Sequence, residues 1–414
     1  MRICLLFVLN ISLLACQPSS TTETEKEQWK LMALPSPASS QSGEPNLFVS
    51  EKGEMYLSWI DGLENDTHAL SFAKWEGEQW SVPQTIAQDS GWFVNWADFP
   101  SLVVHENFMA AHWLAKSAGG TYDYDVKVAV SQDQGKSWSA PFVLHQDGVP
   151  AEHGFVSMLP YDRDKVFAIW LDGRFTKSAT HEAHGEEHGG AMTLHATTFD
   201  YSGNMGEEAE LDHRICDCCQ TDVVNTDQGL VVVYRDRSEE EIRDIYITRQ
   251  VNEEWTAPQA VYADQWQLKG CPVNGPAIAA EGQHVAVAWF TAADNTPKVQ
   301  MAFSDDYGAS FSQPVQIDHG KPLGRVDVIV LNDEQMMVSW MEANNEGAEI
   351  RAAVLNTSLQ LLTDKRIAHT ASSRSSGFPI MEKTDEQVYF AWTNVKEESA
   401  QIMTAILDMK EIRP

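Results

Sequence analysis

A short apolar strand that ends in an aromatic residue recurs seven times along the chain. This recurrence constrains the fold more than any other feature. The copies are Met55-Tyr-Leu-Ser-Trp59, Met109-Ala-Ala-His-Trp113, Val166-Phe-Ala-Ile-Trp170, Leu230-Val-Val-Val-Tyr234, Val285-Ala-Val-Ala-Trp289, Met336-Met-Val-Ser-Trp340 and Val388-Tyr-Phe-Ala-Trp392. Successive aromatics are about 50 to 65 residues apart, the scale of one propeller blade. Each copy sits in the same frame. A strand is expected before it, at 45–50, 99–105, 154–160, 221–226, 275–280, 325–331 and 378–383. An alternating strand follows it, at 69–75, 125–131, 191–199, 244–250, 298–304, 349–355 and 401–407. A fourth closes most copies, as at 84–87 and 315–317. Four short strands joined by turns and repeated in this way build a β-propeller, and no helical periodicity of similar length competes. The expectation is one all-β propeller of seven four-stranded blades.

The seventh copy runs out of chain after its third strand, while residues 28–34 form a spare strand at the other end. Lending that strand to the last blade closes the ring and removes two exposed edges. The propeller then occupies 28–414. Residues 1–15 read as an export signal, with Arg2 ahead of an apolar run too short for a permanent span. The run ends in Leu13-Leu14-Ala15-Cys16, which resembles the lipobox of bacterial lipoproteins. The resemblance implies a lipid on Cys16, a flexible tether over 16–27 and anchorage to a membrane of the cell envelope. Gln17 stands where an inner-membrane retention signal has Asp, which implies the outer membrane, facing the periplasm or the surface.

With 60 acidic and 29 basic residues the net charge is −31. Such a surface repels phosphate backbones and excludes nucleic acid as a partner. A monomer is expected.

The turns after the third strands carry their own repeat. Ser131-Gln-Asp133-Gln-Gly135-Lys-Ser-Trp138 and Ser304-Asp-Asp306-Tyr-Gly308-Ala-Ser-Phe311 share the pattern Ser-x-Asp-x-Gly-x-x-aromatic. Trp80 and Trp255 mark two weaker echoes, and all four continue as Ser or Thr, any residue, Pro. Asp can bond the turn's amides, Gly takes the positive φ and the aromatic plugs the blade. These turns resemble the Asp-box, or BNR repeat, of the sialidase (neuraminidase) superfamily. The resemblance implies an anionic glycan as the ligand, bound or hydrolysed, and six blades as the alternative count. Sialidases also carry an early Phe-Arg-Ile-Pro motif, and the comparable place here reads Ala97-Asp98-Phe99-Pro100. The missing Arg and the seventh blade argue against cleavage of sialic acid.

In a propeller, the loops leading into the first strands and those joining second to third strands open on one face, where scaffolded sites usually lie. Those loops hold the unusual residues. Asp98, Asp172 and Asp236 are the candidate catalytic carboxylates, since glycoside chemistry needs acids placed across a bond. Arg174, Arg235, Arg237, Arg325 and Arg374 are candidates for holding an anionic substrate. Cys216, Cys218, Cys219 and Cys271 remain once Cys4 leaves with the signal and Cys16 takes a lipid. An even number in an oxidising compartment reads as two disulfides. The rival is a thiolate site for copper or zinc, although the run departs from the zinc-ribbon spacing. His181, His184 and His188, in an acidic loop, and His153 and His213, nearer the axis, are further candidate metal ligands. Two functions follow: an envelope-anchored sialidase-like propeller acting on an anionic glycan, or a non-hydrolytic propeller with a Cys/His metal centre for metal handling or redox work.

Overall fold

The computed structural model describes residues 29–178, 190–396 and 399–412. Seven antiparallel sheets follow one another along the chain. Each is one blade of a ring. The innermost strands are Ser42–Val49, Ser101–His105, His153–Tyr161, Asp222–Thr226, Ala277–Glu281, Pro322–Asn332 and Ile380–Lys383, for blades one to seven. All seven expected strands are present, with ends shifted by a few residues. In blade four the third strand, Ile245–Val251, pairs both with the two-residue Glu254–Trp255 and with Gln259–Tyr262.

The ring closes as the sequence pattern requires. Met32–Leu34 runs antiparallel to Ser399–Asp408 in the seventh sheet, with Leu34 opposite Thr404 and Met32 opposite Ile406. Trp29 and Leu34 are buried, which pins the strand by its apolar side chains as well as its ladder.

The second strands are apolar on both faces because neighbouring blades cover both. Trp59, Trp170, Trp289 and Trp340 are wholly buried. A buried indole N–H needs an acceptor, and each finds a carboxylate. Trp59 donates to Asp61 (2.7 Å), Trp170 to Asp172 (2.8 Å), Trp340 to Glu342 (2.7 Å) and Trp289 to Asp264 (2.7 Å).

A second device locks blade to blade. Asn46 accepts from Leu102 N, Asp98 from Phe155 N, Asp222 from Ile278 N and Asp327 from Met381 N. In every case a side chain at the inner end of one blade bonds the backbone of the next. The innermost strands surround an axial channel of about 400 Å³ whose lining includes Asp222, Asp327 and Glu382. Burial pushes these carboxyls up to about 7, 8 and 7 respectively.

The Asp-box turns behave as their residues dictate. Ser131 Oγ accepts from Gly135 N (2.9 Å), and Asp133 accepts from the Ser137 amide and hydroxyl. Ser304, Asp306, Gly308 and Ser310 repeat the pattern. Gly135 has φ 79°, and a Cβ there would lie 2.4 Å from Phe72. The hydroxyl after each aromatic has a role too. Ser81, Ser139, Thr256 and Ser312 each accept from an amide of the preceding third strand. No helix among the described residues is long and apolar enough to cross a membrane.

Candidate functional site

The loops into blades two, four, five, six and seven are stitched together around the axis. Gln220 donates to the Ala97 carbonyl (2.6 Å) and accepts from Gly275 N (2.9 Å). Asn274 accepts from Arg325 N at its side chain (2.7 Å) and from Arg235 Nε at its carbonyl (2.9 Å). Arg325 in turn donates to the Gly377 carbonyl (2.9 Å). The residues leading into these first strands are therefore bonded to one another across blades.

The cysteine cluster adjoins this network, with Cys216 N donating to the Arg235 carbonyl (2.9 Å). Cys216, Cys218 and Cys219 place their sulfurs within 4.8 Å of one another. Cys271, exposed on the next blade's loop, is near enough for its thiol to interact electrostatically with Cys218. All four are free thiols. Cys216 and Cys219 are 2.8 Å apart, longer than the about 2.05 Å of a covalent S–S bond and shorter than an ordinary contact between two thiols. These two are the ends of a Cys-x-x-Cys step, although the run as a whole departs from the zinc-ribbon spacing. The four sulfurs differ electrically. Burial raises Cys216, but hydrogen bonds from Cys218 and Cys219 and the Arg243 guanidinium, whose Nη1 is 3.2 Å away, hold it well below an ordinary thiol. A hydrogen bond from Cys218 also lowers Cys271. Cys218 and Cys219 are raised, Cys218 chiefly as the donor to Cys216 and Cys219 chiefly by burial. The cluster thus holds two thiolate-prone and two thiol-prone sulfurs.

The three candidate carboxylates fall into three settings. Asp98 is buried beneath the mouth, bonded by the Tyr124 hydroxyl (3.0 Å) and Phe155 N (2.6 Å). Burial pushes it up to about 7. The same Tyr124 hydroxyl meets Glu152 at 3.0 Å, and burial pushes Glu152 up to about 8, with Asp98, Asp217 and Cys271 adding to the effect. Asp172 requires a correction. It is wholly buried, belongs to the repeated tryptophan–carboxylate pairs, and forms a two-pronged ion pair with Arg174 (2.8 and 2.7 Å). Burial pushes it up, but Arg174 and His153 hold it well below the carboxylate range, and Arg174 takes both of its oxygens. Asp236 lies in a separate open pocket with Asp212, His213 and Arg214. Burial and Asp212 push it up to about 7.

The arginine-lined mouth is corrected as well. Arg235 is 2% exposed, and the carbonyls of Asn274, Arg243 and Phe290 take its nitrogens. Its guanidinium also sits over the Trp266 ring. Arg325 is 6% exposed and bonds the Gly377 and Ser373 carbonyls. Burial, then Arg374, bring it down to about 10. Arg174 is held by Asp172 and Glu208, and Arg237 by Glu241 and Asp217. Only Arg374, exposed near the Trp96 ring, keeps a guanidinium outside such ties.

His153 is buried in blade three, stacked on His145 with ring centroids 3.5 Å apart. His213 is solvent-exposed, 3.7 Å from Asp212. His181, His184, His188 and Cys16 lie outside the described residues. Sequence reasoning missed Tyr124, Glu152, His145, Asp125, Asp147 and the sulfur-facing role of Arg243. Glu152 was within reach, since it directly precedes His153 in the loop into blade three. His145 and Asp147 sit between blades, in a stretch with no repeat to mark it.

No family model matches the chain, and no curated protein matches it. Similar solved structures include the NanB sialidase from Streptococcus pneumoniae, at 11% identity and TM-score 0.48, covering 94% of this chain and 71% of that one. The Penicillium chrysogenum α-L-arabinanase complexed with arabinobiose is 12% identical, with TM-score 0.47 over 94% of this chain and 99% of that one. A Hadza microbial sialidase is 14% identical, with TM-score 0.48, covering 83% and 74%. Likeness at this level concerns the chain path alone.

Proposed function

We propose that this propeller, anchored in the cell envelope through lipidated Cys16, binds a thiophilic metal ion, copper(I) or zinc, at the four-cysteine cluster. One observation carries the reading: Cys216, Cys218 and Cys219 place their sulfurs within 4.8 Å of one another, and the Cys271 thiol of the next blade's loop interacts electrostatically with Cys218. Thiolates are the ligands that select such ions. Cys216 and Cys271 are poised as thiolates, and Cys218 and Cys219 would release protons on binding. Sulfurs about 2.3 Å from a tetrahedral ion are about 3.8 Å from one another, so Cys216 and Cys219 would part by about 1 Å. Arg243 and Arg237 offset the negative charge of the thiolates, and Asp217 and Glu152 complete the polar shell.

A second reading rests on Glu152 and Asp98, which share the Tyr124 hydroxyl. A carboxyl that keeps its proton near neutrality can protonate a leaving group, and Glu152 is the more accessible of the two. A glycan at the mouth is then the substrate, with Arg374 the remaining cation for an anionic one.

Metal analysis of protein purified anaerobically without chelator distinguishes the two. About one equivalent of copper or zinc, lost in Cys271→Ser, is expected. Two disulfides by mass spectrometry with no metal bound would overturn the metal reading. Turnover of a fluorogenic sialoside or arabinan, abolished in Glu152→Gln, would favour the glycan reading instead.

A further inference from the structure

Blade two and the loop that follows it bury a second set of donors, made of different residues from the cysteine cluster. His145 lies in that loop, and its side chain is 3% exposed. His153 opens the innermost strand of blade three and is wholly buried. Their rings stack almost parallel, 4° apart. Asp147 grips one edge of the stack. Its two oxygens lie 2.6 Å from His145 Nδ1 and 3.2 Å from His153 Nε2. Asp172 Oδ1 is also 3.5 Å from His153 Nε2.

The opposite edge is different. There His145 Nε2 is buried and bonds nothing. The nearest carboxylate oxygen, Asp125 Oδ1, is 3.5 Å away and outside hydrogen-bond geometry. His153 Nδ1 faces the Tyr124 carbonyl at 3.3 Å. Asp125, His145 and His153 each place a ligand atom within 4.8 Å of the others. An imidazole nitrogen left without a partner in the interior carries a desolvation cost of about 1–3 kcal/mol. A nitrogen whose other ring atom is bonded to a carboxylate is also oriented as metal-ligating histidines usually are. Here Asp147 plays that part for His145.

We propose that Asp125, His145 and His153, with the Tyr124 carbonyl, form a binding site for a divalent transition-metal ion of the zinc class. Two imidazoles and two oxygens suit a borderline cation, unlike the all-sulfur cluster. An ion about 2.1 Å from both nitrogens lies out of the plane of parallel rings, so binding splays the stack. Lys127, 3.2 Å from Asp125 Oδ2, leaves Oδ1 for the ion.

The test uses the full mature chain, stripped of metal, reduced and titrated with Zn²⁺, with stoichiometry read by native mass spectrometry and binding by calorimetry. The Cys216→Ser/Cys219→Ser variant is expected to retain one zinc. Adding Asp125→Asn, a change at the more exposed edge, should weaken that zinc by at least about tenfold while leaving the metal-free melting temperature in place. Adding His145→Gln should abolish it, and histidine NMR should show ring signals shifting on zinc addition only while His145 is present. A cysteine variant that binds no zinc, or whose zinc ignores both Asp125→Asn and His145→Gln, overturns the proposal. The two sites fail separately. One zinc in the wild type that vanishes with the cysteines leaves the thiolate reading standing and removes this one. One zinc that survives the cysteine changes and depends on His145 does the reverse.

Discussion

Asp172 and Asp98 carry the same carboxyl into opposite electrostatic settings. Arg174 and the Trp170 indole keep Asp172 charged, whereas Asp98 meets only a phenol and an amide and is pushed up to about 7. Removing one partner of a buried ion pair strands the other, at a cost of about 3–5 kcal/mol. Asp172→Asn is therefore expected to lower unfolding stability by about that amount in urea titration. Asp236→Asn, at a carboxyl already raised to about 7 in an open pocket, should stay within about 1 kcal/mol of wild type. Equal effects would remove the distinction drawn between a structural and a solvent-facing acid. The arginines show why such roles were hard to read beforehand. Arg235 and Arg325 are satisfied by carbonyls of Asn274, Phe290 and Gly377, and a backbone acceptor leaves no mark in the sequence. The pairing of Asp172 with Trp170 was readable, because Trp59 with Asp61 and Trp340 with Glu342 repeat it two residues apart.

The elements were more legible than the site, for a physical reason. A second strand packed between blades must be apolar on both faces, so Leu230 to Tyr234 or Val285 to Trp289 announce themselves by composition. Two-residue outer strands such as Phe142–Val143 and Val315–Gln316 are too short to show any period; the second was expected at 315–317, and the first was not singled out. The cysteine cluster was legible because its members sit at equivalent loops of adjacent blades. The histidine stack was not, because His145 lies in a connection that belongs to no repeat. At this scale the closing strand is the element to test. Deleting residues 29–34 bares the Ser399–Asp408 edge and removes two buried anchors, Trp29 and Leu34. Truncating anchors of this kind singly costs about 2–5 kcal/mol. The deletion should lower the melting temperature and yield self-associating species in light scattering, since an open edge pairs with other chains. A monomer of unchanged stability would show the strand to be dispensable.

Over the whole molecule, several buried acids are held above their normal range. Glu44, Asp222, Asp327 and Glu382 are pushed up to about 7, 7, 8 and 7, in each case chiefly by burial. Unfolded, they titrate near about 4. The folded chain therefore binds extra protons between about pH 4 and 8, and stability falls as pH rises through that window. The carboxyls held low, such as Asp172, act only below it. The melting temperature should be higher at pH 5.5 than at pH 8.5. Asp327→Asn, which keeps an acceptor for Met381 N without a charge, should flatten the slope. A melting temperature indifferent to pH would show these acids to be solvated.

The seventh blade is assembled from both ends of the chain. Its first strand emerges early and has nothing to pair with until the final hairpin arrives. Joining ends so distant is entropically slow, which makes ring closure a late event. Until then, every nascent copy is a horseshoe with two sticky arms. A stop codon anywhere in the last blade leaves a horseshoe that never shuts.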